Sequence, residues 1–364
     1  MKTRMGLKAA IILILMLTFT PLAWGTSNTS SGHMTIPARP SMPLFRGKPG
    51  NLHSKVTFEP SSRRVTIEFV VQDPNGYFIP DIHPQNFTVY ENGVQQQITS
   101  VEIQHASVTV AMLLQDGGRY HELNEVLGNE IPYISHQFLN YLEPGDKLAV
   151  LTYSGKVKTL ANFNQKRSDV SEMIDQIGTP GFSEANLYDA LLDTIRMMKN
   201  IQGRKAIVVV TSGVDTFSRA TFSDVLQAAE NAATPVYVVG LTQIMQNASE
   251  VYGAAAPFVH IGWSSIEVDL EKLASASGGR AYFPEADIDV PPIFDDIMEN
   301  LRLRYIITYV SSSPASAGSP RSIRIALVNP KTGQPLQISD SNGKAVRATV
   351  IVQQKYTPGA ISGG

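Results

Sequence analysis

The sequence predicts an α/β fold: a Rossmann-like, doubly wound, mostly parallel sheet, with an accessory antiparallel β-sandwich built from the N- and C-terminal flanks. Three observations predict it. Runs such as AIVVVT at 206–211 are apolar throughout, as a strand must be when helices cover both faces of its sheet. These runs alternate with stretches of helical spacing, such as Leu187, Leu191, Ile195 and Met198,. On either side of this region the pattern drops to period two, as in Val65, Ile67, Phe69 and Val71, which marks half-buried strands.

In chain order, residues 1–25 read as an export signal: MKTRMGLK is the charged part, AAIILILMLTFTPLAW the apolar part, and Ala23-Trp24-Gly25 supplies small residues for cleavage,. The alternative is an uncleaved anchor, since Gly6–Trp24 nearly spans a bilayer. Residues 26–52 are rich in Ser, Thr, Gly and Pro and read as a flexible linker,. Residues 53–105 form the first β-rich part, with turns at Pro74-Asn75-Gly76 and at Asn92-Gly93, a pair suited to a type I′ hairpin,.

Residues 106–311 carry the strand–helix alternation. Strands are expected at Val108–Gln115, Lys147–Tyr153, Ala206–Thr211, Pro235–Leu241, Arg280–Phe283 and Tyr305–Val310. Thr221-x-x-Asp224 resembles a capping box, Gly278-Gly279 stops a helix, and Pro132 is expected to bend or split the first helix. Residues 242–265 read as an insertion loop. Residues 312–357 return to β patterning, with a turn at Asn342-Gly343, and are expected to pack on 53–105 to complete the sandwich. Residues 358–364 read as a disordered tail.

Composition narrows the function. The 364 residues carry a formal net charge of −2, 43% are hydrophobic and none is cysteine. There is no long basic run, which argues against nucleic acid, and the fold cannot use disulfides. The histidines are scattered, with no HExxH; His121 and Glu125 share a helix face as a surface pair,. Ser154 and Ser212 follow apolar strands but lie in no G-x-S-x-G,. No enzymatic activity is therefore expected. Asp189 is expected to stabilise the start of its helix or to bond a loop, and Asp215 to cap or to coordinate.

The order VTVAMLLQD, EPGDKLAVLTYSGKVK, NLYDALLDTI, GRKAIVVVTSGVDTFS, TPVYVVGL and LASASGGRAYFPE, closed by LRLRYIITYV, resembles a von Willebrand factor type A (VWA) domain. With its flanks it is similar to the VWFA-related exported group typical of acidobacteria. The resemblance implies a site at the C-terminal edge of the sheet, where such domains hold magnesium through D-x-S-x-S on the first loop, a Thr on the second and an Asp on the third. Here Asp116 matches the first position, Gly118 and Tyr120 stand for the serines, Ala185 for the Thr, with Ser183 or Asn186 as stand-ins if the loop shifts, and Ser212 for the Asp. One hard donor of five remains, too few for a strongly hydrated ion, and Arg119 is placed to pair with Asp116 or to repel a cation.

The expectation is an exported, non-enzymatic protein with a degenerate metal motif, mediating protein–protein interaction or adhesion at this edge. Its partner is an unidentified protein; no nucleic acid is expected, and membrane only if the N-terminal segment stays attached. The contact residues, carried over by position, are Asp116, Gly117, Gly118, Arg119, Tyr120, Ser183, Glu184, Ser212 and Asp215. No cofactor is expected. The alternative is a divalent-cation-dependent receptor or enzyme subunit holding magnesium through Asp116, Ser212 and Asp215; a third reading is a purely structural envelope component.

Overall fold

A computed structural model of the chain describes residues 32–38, 54–252, 260–313 and 318–358. The expected export signal, much of the expected linker and most of the C-terminal tail lie outside them. The first strand, β1 (His33–Ile36), falls inside the stretch read as a linker and pairs in parallel with residues 337–340. Its Met34 and Ile36 are buried. That two-residue apolar alternation is too short to stand out from the surrounding Ser, Gly and Pro.

Next come β2 (Lys55–Glu59), β3 (Arg64–Gln72), β4 (Phe87–Glu91), β5 (Val94–Gln96) and β6 (Ile98–His105). Asn92 and Gly93 both take positive φ, 49° and 79°, as a type I′ turn requires.

The α/β region follows with β7 (Val108–Gln115), α1 (His121–Leu139), β8 (Lys147–Tyr153), β9 (Val157–Ala161), α2 (Arg167–Ile174), α3 (Leu187–Met198), β10 (Arg204–Thr211), α4 (Phe222–Asn231), β11 (Val236–Gly240), α5 (Thr242–Tyr252), α6 (Trp263–Ser277), β12 (Ala281–Tyr282) and α7 (Val290–Arg302). Its sheet runs β12-β11-β10-β7-β8-β9 and is parallel except for β9, which returns antiparallel beside β8. Each central strand feeds two cores: Val110, Met112 and Leu114 face one, Ala111 and Leu113 the other. This is why the strands are apolar throughout.

Two expectations meet local corrections here, and a third holds. Pro132 lies inside α1 without splitting it. The expected insertion loop at 242–265 begins as helix α5, because Met245 is buried and Thr242 Oγ1 donates to the buried Glu267 at 2.7 Å. Thr221 and Asp224 do form a reciprocal capping box.

The chain closes with β13 (Leu303–Val310), β14 (Arg321–Leu327), β15 (Gln337–Asp340), β16 (Ala345–Val346), β17 (Thr349–Ile351) and β18 (Lys355–Tyr356). Strand β13, expected in the parallel sheet, instead lies antiparallel between β3 and β6 in a five-stranded sheet that also holds β17 and β2. Its burial alternates through Tyr305, Ile307 and Tyr309, the period of a strand covered on one face only. A four-stranded sheet, β18-β14-β4-β5, shares its core: Phe69 meets Phe87 edge-on at 5.7 Å, and Tyr305 meets Phe87 at 5.1 Å. The flanks on both sides of the α/β region thus build one β unit.

Candidate functional site

Strand β7 ends at Gln115, and this buried amide organises the C-terminal edge of the parallel sheet. Its Nε2 donates to Gly117 O at 2.8 Å, while its Oε1 accepts from Ser212 N at 2.8 Å and from Ser212 Oγ and Thr211 Oγ1 at 3.0 Å each. Tyr153 OH joins at 2.7 Å from Thr211 Oγ1, and burial pushes this phenol far above its ordinary pKa. The floor of the site is therefore a neutral network tying β7, β8 and β10 together. Gln115 received no role from the sequence, although a polar residue ending an apolar strand was a signal.

Asp116 follows, half-buried, its N–H bound to Tyr153 O at 2.7 Å. Burial raises the pKa of its carboxyl, and the charge of Lys158 on β9 opposes that rise in part. Arg119 does not supply the expected countercharge. Its guanidinium stacks over the Phe217 ring, 5.3 Å from the centroid.

Gly117 and Gly118, the second at a position where the family has a serine, have a steric reason. A Cβ on Gly117 would lie 2.3 Å from Glu184 O and 2.5 Å from Ser183 Oγ; one on Gly118 would lie 2.3 Å from Asn124 Oδ1. Ser183 N donates to Gly118 O at 3.1 Å, so the second loop rests directly on the first. Asn124 on α1 bonds both, through Nδ2 to Gly118 O at 3.2 Å and to Gly181 O at 3.1 Å. No pattern in the sequence pointed to this amide. Tyr120 precedes α1, its carbonyl accepting from Asn124 N at 3.0 Å and its ring packing on the core.

The remaining expected residues are occupied. Ser183 Oγ donates to Glu184 O at 3.3 Å, and Glu184 Oε2 accepts from Asn186 Nδ2 at 2.8 Å. Ala185 is buried, its N–H bound to Thr216 Oγ1 at 2.8 Å. Asp215 turns to the start of α3: its Oδ1 accepts from Ser218 Oγ at 2.5 Å and from Tyr188 N at 3.2 Å. Asp189, in the first turn of α3, accepts from Arg219 N and Ala220 N at 3.0 and 2.9 Å. Asp215 and Asp189 thus lock the third loop to α3, a structural use of both carboxylates.

As a donor set for magnesium these residues fit poorly. Asp215 is committed to α3, Ser212 to Gln115, and Gly118 and Ala185 bring no side-chain oxygen. Among the described residues no group of three His, Cys, Asp or Glu side chains is arranged to hold a metal ion. His121 and Glu125 form an exposed pair at 3.7 Å.

Two large apolar side chains project from these loops, Phe182 at 79% and Phe217 at 59% exposure. Phe182 bridges to Gly118, and Phe217 lies under Arg119. Phe217 also borders a cleft of about 1230 Å³ between α3 and α4, whose wall includes Glu184, Asp189, Arg196 and Arg219. Among the described residues no helix is long and apolar enough to cross a membrane.

Residues 131–296 match the profile of the von Willebrand factor type A domain; the match begins downstream of the Asp116–Tyr120 loop. No curated protein matches the chain. Among solved structures, it is similar to the conserved hypothetical protein BatB from Bacteroides thetaiotaomicron (14% identity, 53% of this chain and 98% of that one, TM-score 0.40). A von Willebrand factor type A protein from Catenulispora acidiphila is 12% identical over 78% of this chain and 75% of its own, with a TM-score of 0.42. Proximal thread matrix protein 1 of the mussel byssus, in a form described as having a zinc-occupied MIDAS motif, is 11% identical (54% and 48%, TM-score 0.38). The profile match and the strand order with its antiparallel edge strand β9 identify the α/β region of this chain as a von Willebrand factor type A domain.

Proposed function

We propose that this chain is an exported, non-enzymatic binding protein that grips a protein partner at the C-terminal edge of its VWA sheet, without an obligatory metal. The observation that carries the reading is the pair of exposed phenylalanines, Phe182 and Phe217, on two loops that meet the Asp116–Tyr120 loop. Exposed aromatics beside an arginine are the usual composition of the energetic centre of an interface. The stacked Arg119 keeps its donors available for a partner's carboxylate. The metal-independent part of the reading is supported by the shortage of uncommitted oxygen donors.

The test is capture of a partner from envelope extract by wild type and by Phe182→Ser, Phe217→Ser and Arg119→Ala. The three side chains are exposed, so melting midpoints should stay at the wild-type value. Loss of one specific partner in the phenylalanine variants is expected; equal recovery by all forms refutes the site. Melts with Mg²⁺ or Mn²⁺ test the metal clause: a rise in midpoint that EDTA reverses would favour the cation-dependent alternative.

A further inference from the structure

At the other end of the six-stranded sheet, where β7 and β10 begin and the β unit abuts them, lies a cleft of about 640 Å³. Lys55, Lys199, Arg204, Lys205 and Arg304 line it, against one carboxylate, Glu68. This is a local excess of four positive charges in a chain whose formal net charge is −2.

The hydrogen bonds of Arg204, Lys205 and Arg304 all go to neutral acceptors, and the one carboxylate, Glu68, acts on Arg204 and Arg304 through its charge. Arg304, 7% exposed, donates from Nη1 to Leu303 O at 2.7 Å and to Asn300 O. Arg204 donates to Gln104 Oε1 at 2.6 Å and to Arg302 O. Lys205 Nζ donates to Met198 O at 2.7 Å and Lys199 O at 3.1 Å. Among the described residues none of the five cations forms an ion pair with a carboxylate. Burial, and then the charge of Arg304, pull the pKa of Arg204 down to about 10 against the opposing charge of Glu68; burial also lowers that of Arg304, again with Glu68 opposing, and that of Lys205. Two guanidiniums repelling each other in a partly dehydrated recess are costly when a single carboxylate, Glu68, is shared among five cations,. Their planar forks suit the paired oxygens of a phosphate, and the lysines add point charge.

We infer that this cleft is an anion site for a phosphate group, free or as a small monoester, bound between the VWA domain and the β unit. Lys55, Glu68 and Arg304 come from the β unit, and Lys199, Arg204 and Lys205 from the VWA domain, so the ligand closes the seam between them. The site is independent of the partner-binding loops at the opposite edge.

Calorimetric titration of the full chain with inorganic phosphate and with glycerol phosphate, at matched ionic strength, tests it. Saturable binding is expected, with Kd on the order of 1 mM or tighter. Binding of phosphate alone assigns the free anion; binding of both admits monoesters. Arg204→Gln and Lys199→Gln should each weaken binding, the first by about ten-fold or more. Lys199 is exposed, so its variant keeps the fold if Arg204→Gln does not. Glu68→Gln removes the one opposing charge and should tighten binding several-fold, an effect of opposite sign that a purely structural role does not give. Absence of saturable heat, or wild-type affinity in all three variants, overturns the assignment.

Discussion

Removing the carboxylate of Asp296 should loosen the seam between the two units and cost a large part of the chain's stability. Asp296 and Arg280 pair at 2.6 Å with their side chains 2% and 3% exposed. The same carboxylate accepts from Tyr282 OH at 2.6 Å and from Asn300 Nδ2 at 2.7 Å. From this hub two arms cross into the β unit: Arg280 Nη2 donates to Gly76 O, and Gln72 Nε2 donates to Asn300 Oδ1 at 2.8 Å. Although burial works to lower it, the charge of Asp296 raises the pKa of Arg280. Asp296→Ala strands that guanidinium in the interior, and breaking one side of a buried pair costs about 3–5 kcal/mol. Replacing both partners by apolar residues of similar volume, Arg280→Met with Asp296→Leu, is expected to recover most of the loss, because no charge is then left buried. Urea unfolding of the wild type, the single variant and the double variant measures the difference. A loss below about 1 kcal/mol for Asp296→Ala would show that water or a rearranged neighbour satisfies Arg280 and would refute the reasoning.

Two further outcomes follow from buried carboxylates. Burial pushes the pKa of Glu91 up, but hydrogen bonds from Tyr309, Ser311 and Arg321 and the arginine's charge outweigh it and hold that pKa below 4.5. A depressed folded-state pKa contributes stability that is present above 4.5 and lost as pH falls through the folded value; Glu91→Gln should therefore flatten the acid limb of a stability–pH curve, and an unchanged limb would exclude Glu91 as its source. Asp116 is the opposite case: burial raises its pKa above 3.8, with Lys158 opposing, so its ionised form opposes folding as pH rises through the raised value. Asp116→Asn should match or exceed wild-type stability at neutral pH, with the advantage vanishing in acid; a destabilised Asp116→Asn would mean that the carboxylate holds the loop together.

By itself, the sequence determined the periods and the punctuation. Uninterrupted apolar runs at 110–114 and 206–210 already meant strands covered on both faces, Asn92-Gly93 a tight hairpin, and Thr221-x-x-Asp224 a helix start. Such features depend on residues a few positions apart, so short windows carry them. Which strand neighbours which is a long-range matter, and there tertiary structure decided. LRLRYIITYV reads as a strand in any setting, but only its antiparallel fit between β3 and β6 placed it outside the parallel sheet. At the candidate site the sequence showed which oxygens were missing and not what replaced them. Gln115 against Ser212, Asn124 against Gly181 and Phe217 beneath Arg119 meet across many residues of intervening chain, and hydrogen bonds and ring contacts of that kind exist only once packing has brought their ends together.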